Sequence, residues 1–266
     1  MVTSTSSGWS ASRPSRPDRR VTRATGKSVD TRPMPPSDRF YESRLLRFVL
    51  AERLAHWLYA LFFLAAFVSG VLMWAPATRD WMGGARYTVS RYHAFIGAAM
   101  VLLPLLVMLI LDRRRLRDDL REVDVWSRED RRWLALALRG HTLRGKTMPP
   151  QGRLNAGQKV NVILVAAMAV GFAATGGILM HKTGLPSWLV SRALWLHGFL
   201  AVTAFALFLG HVAHVFVTQH GRHYLAGMVR GRVPEWLARE RHRRWWEEVV
   251  REEEVLQQKA HREAKV

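Results

Sequence analysis

Cysteine is missing from all 266 residues, which removes disulfides, Cys-ligated zinc, iron–sulfur clusters and thioether-attached heme from consideration. Any heme held here is noncovalent, of the b type. Acidic residues are scarce beside basic ones, 21 against 40, for a formal net charge of +19. Such a balance fits nucleic acid, or the excess of cations that membrane proteins keep on their cytoplasmic side. Where the cations lie decides between the two. Residues 1–43, rich in Ser, Arg, Pro and Thr, hold no apolar stretch to bury and predict a disordered basic tail. Arg19-Arg20 is followed by no apolar run until about Leu45, and that run is long enough to span a bilayer, so no cleaved targeting peptide is expected.

Four long uncharged runs are what the sequence does have: Leu54 to Thr78, Tyr92 to Leu111, Val160 to His181 and Ala193 to Gly221. Each reaches the ~20 residues that cross hydrocarbon as one helix. They predict an all-α, four-helix transmembrane bundle over residues 44–221, with spans at about 54–76, 92–111, 160–181 and 193–217. Pro104 kinks or locally opens the second span without cancelling it, because neighbouring helices satisfy the freed carbonyl. Residues 222–266 read as a cytoplasmic, basic and amphipathic C-terminal segment.

The cations are distributed unevenly between these runs. Pro76 to Arg91 carries three Arg, and His181 to Arg192 carries only Lys182 and Arg192. The central connector from Asp112 to Lys159 holds thirteen, among them Arg113, Arg114, Arg115, Arg131, Arg132 and Lys146. The positive-inside rule then places both termini and this connector in the cytoplasm and the short loops outside, in a bacterial inner membrane. Trp74, Trp81, Trp188 and Trp195 flank the outer span ends, where indole favours the interface, although packing alone also explains them. Cations that track sidedness argue for membrane lipid as a partner and against nucleic acid.

Imidazole inside a span is costly without a partner, so intramembrane histidines are functional candidates. His56, just past Arg53, and His211, late in the inward fourth run, fall at the cytoplasmic level. His93 and His197, each early in an inward run, fall at the outer level. His197 and His211 are 14 residues apart, about 21 Å of rise and nearly four full turns, so they share a face. That is the arrangement two stacked bis-histidine hemes require, with pairs His56/His211 and His93/His197. One histidine alone is explained as well by hydrogen bonding between helices. Four at two matched depths point to heme. His214 is the rival to His211 but lies about 100° off the shared face. His141, His181, His220, His223, His242 and His261 read as solvated surface. Ser69, Gly70, Gly97, Gly171, Gly176, Gly177, Gly198 and Gly210 admit either a porphyrin edge, with Gly97 the first choice, or close helix packing.

Asn155-Ala-Gly157-Gln158-Lys159 stands at the mouth of the third span. Its amides suit a quinone carbonyl, but chemistry alone favours an ordinary helix cap, with Lys159 snorkelling. Ala51-Glu-Arg-Leu-Ala-His56-Trp57, Arg91-Tyr-His93, this Asn155-to-Lys159 run, His197, His211, Gly227-Met-Val-Arg-Gly-Arg-Val-Pro234, Trp236 and Arg243-Arg-Trp-Trp246 occur in a familiar order. From about Arg44 to Arg251 the chain resembles the cytochrome b556 (gamma) subunit of respiratory formate dehydrogenase. The resemblance implies two b hemes, a menaquinone or ubiquinone site at Asn155, Gly157, Gln158 and His211, and electron flow from the outer to the inner heme. It also implies an iron–sulfur beta subunit and a molybdenum- or tungsten-containing alpha subunit that carries formate oxidation. Related cytochromes of hydrogenase or thiosulfate reductase, and a heme-free anchor or transporter, are the alternatives.

Overall fold

The computed structural model describes residues 43–142, 147–218 and 220–265. The expected disordered tail, Ser43 apart, and Lys146 lie outside them. Within them the chain runs β1 (Arg44–Leu46), α1 (Leu50–Trp74), α2 (Pro76–Met82), α3 (Ala85–Leu111), α4 (Arg113–Asp124) and α5 (Arg128–Leu138). It continues with α6 (Ala156–Met180), α7 (Ser187–Val217), α8 (Gly221–Arg230), β2 (Arg232–Pro234), α9 (Glu235–Arg241) and α10 (Arg243–Glu263).

The four helices α1, α3, α6 and α7 have 25, 27, 25 and 31 residues, and each is long and apolar enough to cross a membrane. All begin before the uncharged runs do, taking Arg53, Arg86, Arg91, Lys159 and Arg192 into helix. Backbone hydrogen bonding does not stop where hydrocarbon stops, and long cationic stems carry their charge out to the headgroups. α1 ends at Ala75, held extended by Pro76, which then opens α2 as a first-turn proline. α3 runs through Pro104 unbroken.

α1 packs on α3, α6 on α7, and α3 on α6. At mid-height each helix gives one buried residue to a common core: Phe63, Met100, Met168 and Ala204. Side chains close α1 onto α7, with Phe67 stacked on Phe205 at 4.0 Å between ring centres and Phe63 against Phe208 at 5.7 Å.

A second core lies at the end of the bundle where α1 and α6 begin, called here the basic end. β1 pairs antiparallel with β2, Leu45 opposite Val233, so the two flanks of the membrane domain are clasped together. Val233, Leu237, Ala238 and Trp245 are buried there, joined by Leu45, Tyr224 and Trp246. Gly231 closes α8 at φ +84°, and a β-carbon there would stand 2.7 Å from the Phe48 carbonyl oxygen. Its own carbonyl accepts the Arg47 and Phe48 amides at 2.8 and 3.1 Å.

In the described part of the central connector, caps start two helices. Asp112 accepts the Arg115 amide at 2.9 Å to start α4, and Ser127 with Asp130 makes a reciprocal box at the start of α5. Basic residues from it turn inward. Arg153 bonds Glu52 at 2.8 Å, Glu122 at 2.8 Å and Asp119 at 2.5 Å, while Lys159 bonds Asp130 at 3.0 Å and the Val125 carbonyl at 2.8 Å. Lys159 is 2% exposed, so it does not snorkel. His242, expected on the surface, is wholly buried between the Gly152 carbonyl, 2.8 Å from Nδ1, and the Tyr224 hydroxyl, 3.2 Å from Nε2. A carbonyl only accepts, so Nδ1 carries the proton. Burial, with Arg47 nearby, holds the ring well below its ordinary pKa.

Candidate functional site

The four intramembrane histidines fall into two facing pairs, one toward each end of the bundle. At the basic end, His56 near the start of α1 faces His211 near the end of α7, with ring centres 6.3 Å apart and planes at 56°. Trp57 lies edge-on to His56 at 5.2 Å. At the far end, His93 of α3 faces His197 of α7 at 6.0 Å and 67°. Phe63, Phe67, Phe205 and Phe208 fill the level between the pairs.

These separations can be compared with what a metal would need. Two imidazole nitrogens on opposite sides of one ion, each about 2.0–2.1 Å away, put ring centres roughly 6 Å apart once a ring radius of ~1.1 Å is added twice. Both pairs meet that spacing.

The glycines sort into three environments. A β-carbon added at Gly70 would stand 3.4 Å from the His93 ring and one at Gly176 3.7 Å from the His197 ring, so each glycine borders an imidazole at ordinary contact distance. Gly171 meets Leu200 at 2.8 Å and serves close helix packing. Gly97, Gly177, Gly198 and Gly210 face open space within 4 Å, leaving bare helix surface where a flat macrocycle can lie. The residues present therefore fit a bis-histidine heme at each level.

Sequence reasoning did not find the partners of the far pair. Ser69 Oγ lies 2.9 Å from His93 Nδ1, and Thr175 Oγ1 lies 2.8 Å from His197 Nδ1. The signal was present as a repeated hydroxyl-glycine dipeptide, Ser69-Gly70 and Thr175-Gly176. Each stands five residues before the last residue of its helix, Trp74 and Met180.

At the basic end, Asn155 and Gln158 complete a reciprocal cap of α6. Asn155 Oδ1 accepts the Gln158 amide at 2.9 Å and Gln158 Oε1 accepts the Asn155 amide at 3.0 Å. Gln158 Oε1 also accepts from Arg47 Nη2 at 3.0 Å. With its oxygen used twice, the side-chain NH₂ of Gln158 is the group left to donate. Gly157 lets α6 pass the Trp133 ring, which a β-carbon would meet at 3.0 Å. Arg47, 1% exposed, is set among the rings of Tyr224, Phe48 and Trp245 at 5.0, 5.1 and 6.0 Å. Burial pulls its pKa to about 10, and it stays charged at neutral pH.

Two similar proteins are the formate dehydrogenase cytochrome b556(fdo) subunit of Escherichia coli K12 and the formate dehydrogenase cytochrome b556 subunit of Haemophilus influenzae. The first is 26% identical over 213 residues, covering 77% of this chain and 93% of the relative. The second is 24% identical over 219 residues, covering 79% and 85%. The profile of the prokaryotic cytochrome b561 family matches residues 47–231, which take in all four long helices, both histidine pairs and the Gly231 turn. This chain is a membrane protein of the prokaryotic cytochrome b561 family.

Proposed function

We propose that this chain is the membrane cytochrome b subunit of a formate dehydrogenase complex. In this reading it passes electrons from an iron–sulfur subunit on the periplasmic side to menaquinone or ubiquinone on the cytoplasmic side. The observation that carries the reading is the pair of histidine couples at opposite ends of the bundle, with ring centres 6.0 and 6.3 Å apart. Bound there, b heme supplies one-electron transfer. His56 with His211, and His93 with His197, would hold it between facing rings, an arrangement that favours electron transfer over oxygen chemistry. Phe63, Phe67, Phe205 and Phe208 exclude water between the two levels.

The excess of cations supports a basic end, and with it both termini, on the cytoplasmic side of a bacterial inner membrane. His56/His211 is then the inner couple. Beside it, Gln158 offers its NH₂ to a quinone carbonyl, with Asn155, Gly157 and His211 completing the site. Formate oxidation belongs to a molybdenum- or tungsten-containing partner, and this chain contributes the quinone-reducing step. The partner assignment rests on the two formate dehydrogenase relatives.

One observation favours a second reading. Asn155 and Gln158 already satisfy each other as a cap, which a hydrogenase or thiosulfate reductase cytochrome would share without a quinone bound at this loop. Purification of the full chain after heme-replete expression, followed by pyridine hemochrome analysis, is expected to give two b hemes per chain. A value below one overturns the cytochrome reading. Assay of the affinity-purified native complex with formate, hydrogen and thiosulfate side by side is expected to show formate oxidation. Turnover of hydrogen or thiosulfate alone favours the second reading.

A further inference from the structure

The hydroxyls beside the far histidine pair define more than a contact. Thr175 Oγ1 is 2.8 Å from His197 Nδ1 and 2.7 Å from the Gly171 carbonyl oxygen. Ser69 Oγ is 2.9 Å from His93 Nδ1 and 2.8 Å from the Ala65 carbonyl oxygen. A hydroxyl has one proton to give, and a carbonyl oxygen can only accept. Given to the carbonyl one turn back, that proton makes the usual back-bond of Ser and Thr in a helix. In that arrangement a hydroxyl lone pair faces each imidazole, and Nδ1 is the ring nitrogen that carries hydrogen. Nε2 of both rings keeps its lone pair. Among the described residues, neither His56 nor His211 has a comparable hydrogen bond at its ring.

The two hydroxyls come from different helices yet occupy equivalent places. Each precedes a glycine that borders the same imidazole, and each lies five residues before its helix ends. An outer partner that accepts the second ring N–H fixes ligand orientation and raises ligand basicity. A more basic axial ligand stabilises oxidised iron, and hydrogen bonding around the ligands is one of the levers on heme potential. From this geometry we infer that Ser69 and Thr175 are positioning residues that lock His93 and His197 in the Nε2-ligating tautomer and give the far-end heme the lower reduction potential. The inference rests on the two-heme reading above. Its consequence is a built-in downhill direction, from His93/His197 toward His56/His211.

The experiment is a spectroelectrochemical titration of the full chain in detergent. Thr175→Val keeps the shape and removes the hydroxyl, while Thr175→Ser keeps the hydroxyl and trims the methyl. Thr175→Val is expected to raise the lower of the two midpoint potentials by about tenfold in the reduction equilibrium, ~59 mV for one electron, and to leave the higher one in place. Thr175→Ser is expected to titrate as wild type, and Ser69→Ala to move the same lower component upward. A titration unchanged in Thr175→Val, a shift of the higher component, a downward shift, or an equal shift in Thr175→Ser overturns the inference. If Thr175→Val purifies with one heme and Thr175→Ser with two, the hydroxyl holds the ligand and the inference stands. One heme in both reduces Thr175 to packing and overturns it. Wild-type chain lacking two b hemes fails the underlying reading instead, before any variant is compared.

Discussion

Arg47 donates from Nη2 to Gln158 Oε1 at 3.0 Å, joining the segment that leads into α1 to the first turn of α6. The same oxygen takes the Asn155 amide, so the Gln158 carboxamide is oriented by two donors and turns its NH₂ away from both. In Gln158→Glu that NH₂ becomes a carboxylate oxygen, which forms an ion pair with Arg47 but cannot donate to a quinone carbonyl. Reoxidation of the reduced protein by a menaquinone analogue, followed by stopped-flow at the heme bands, is expected to slow about tenfold or more with heme content unchanged. Wild-type rates in Gln158→Glu would return Asn155 and Gln158 to capping alone.

The histidine pairs make a second prediction. His211→Ala and His93→Ala are each expected to lose one b heme and keep the other, read by pyridine hemochrome. His214→Ala is expected to keep both, because it is the His211 ring that faces His56. Loss of a heme in His214→Ala with retention in His211→Ala would reverse the assignment.

At the basic end Lys159 and Asp130 are 2% and 0% exposed and 3.0 Å apart. Burial opposes the Asp130 charge, but the Ser127 amide and the Lys159 ammonium outweigh it and hold the carboxyl below its ordinary range. Removing one partner of such a pair strands the other, typically at about 3–5 kcal/mol, whereas replacing both with apolar groups is much milder. Lys159→Met is therefore expected to destabilise strongly. The double variant Lys159→Met/Asp130→Leu should recover most of the loss, as measured by thermal unfolding of the detergent-solubilised chain. Because the folded pKa of Asp130 is depressed, its stabilisation is complete above its unfolded value near 4 and is lost as pH falls below that.

Asp119 behaves in the opposite sense. Burial raises its carboxyl, and although Arg153 pulls it back, nearby Glu52 adds to the rise, carrying it to about 7. Three carboxylates, Glu52, Asp119 and Glu122, crowd around the two guanidiniums of Arg115 and Arg153. A carboxyl with a raised folded pKa contributes stability below its unfolded value that fades as pH rises toward 7. Thermal midpoints in wild type are expected to fall, relative to those of Asp119→Asn, as pH rises from about 4 to 7. His242 is buried as the neutral ring and pulls the other way, its stabilisation lost as pH falls below about 6.5. The Asp119→Asn difference isolates the carboxyl from it.

The membrane helices were legible because about twenty uncharged apolar residues in a row have few other uses in a folded chain. The histidine levels were legible too, since distance along a helix converts directly to depth. The basic end was not. β1 and β2 are three-residue strands from opposite flanks of the membrane domain, and nothing local in Arg44-Leu-Leu announces Val233 as a partner. Lys159 read as snorkelling and His242 as solvated because their types usually are, and nothing local singles out Arg47. Only the aromatic and ionic partners brought from distant segments make their burial affordable. Ser69 was noticed as small when its hydroxyl was what mattered, because a partner on a neighbouring helix leaves no period in the sequence.

The clasp of Leu45 with Val233 also sets an order of events during synthesis. Leu45 leaves the ribosome first and has no strand to pair with until four membrane helices have been made and Val233 follows them. Until then Arg47 lacks both the Gly231 carbonyl and the Tyr224 and Trp245 rings that enclose it. Closure of the clasp thus reports that all four helices are in place with both flanks on one side.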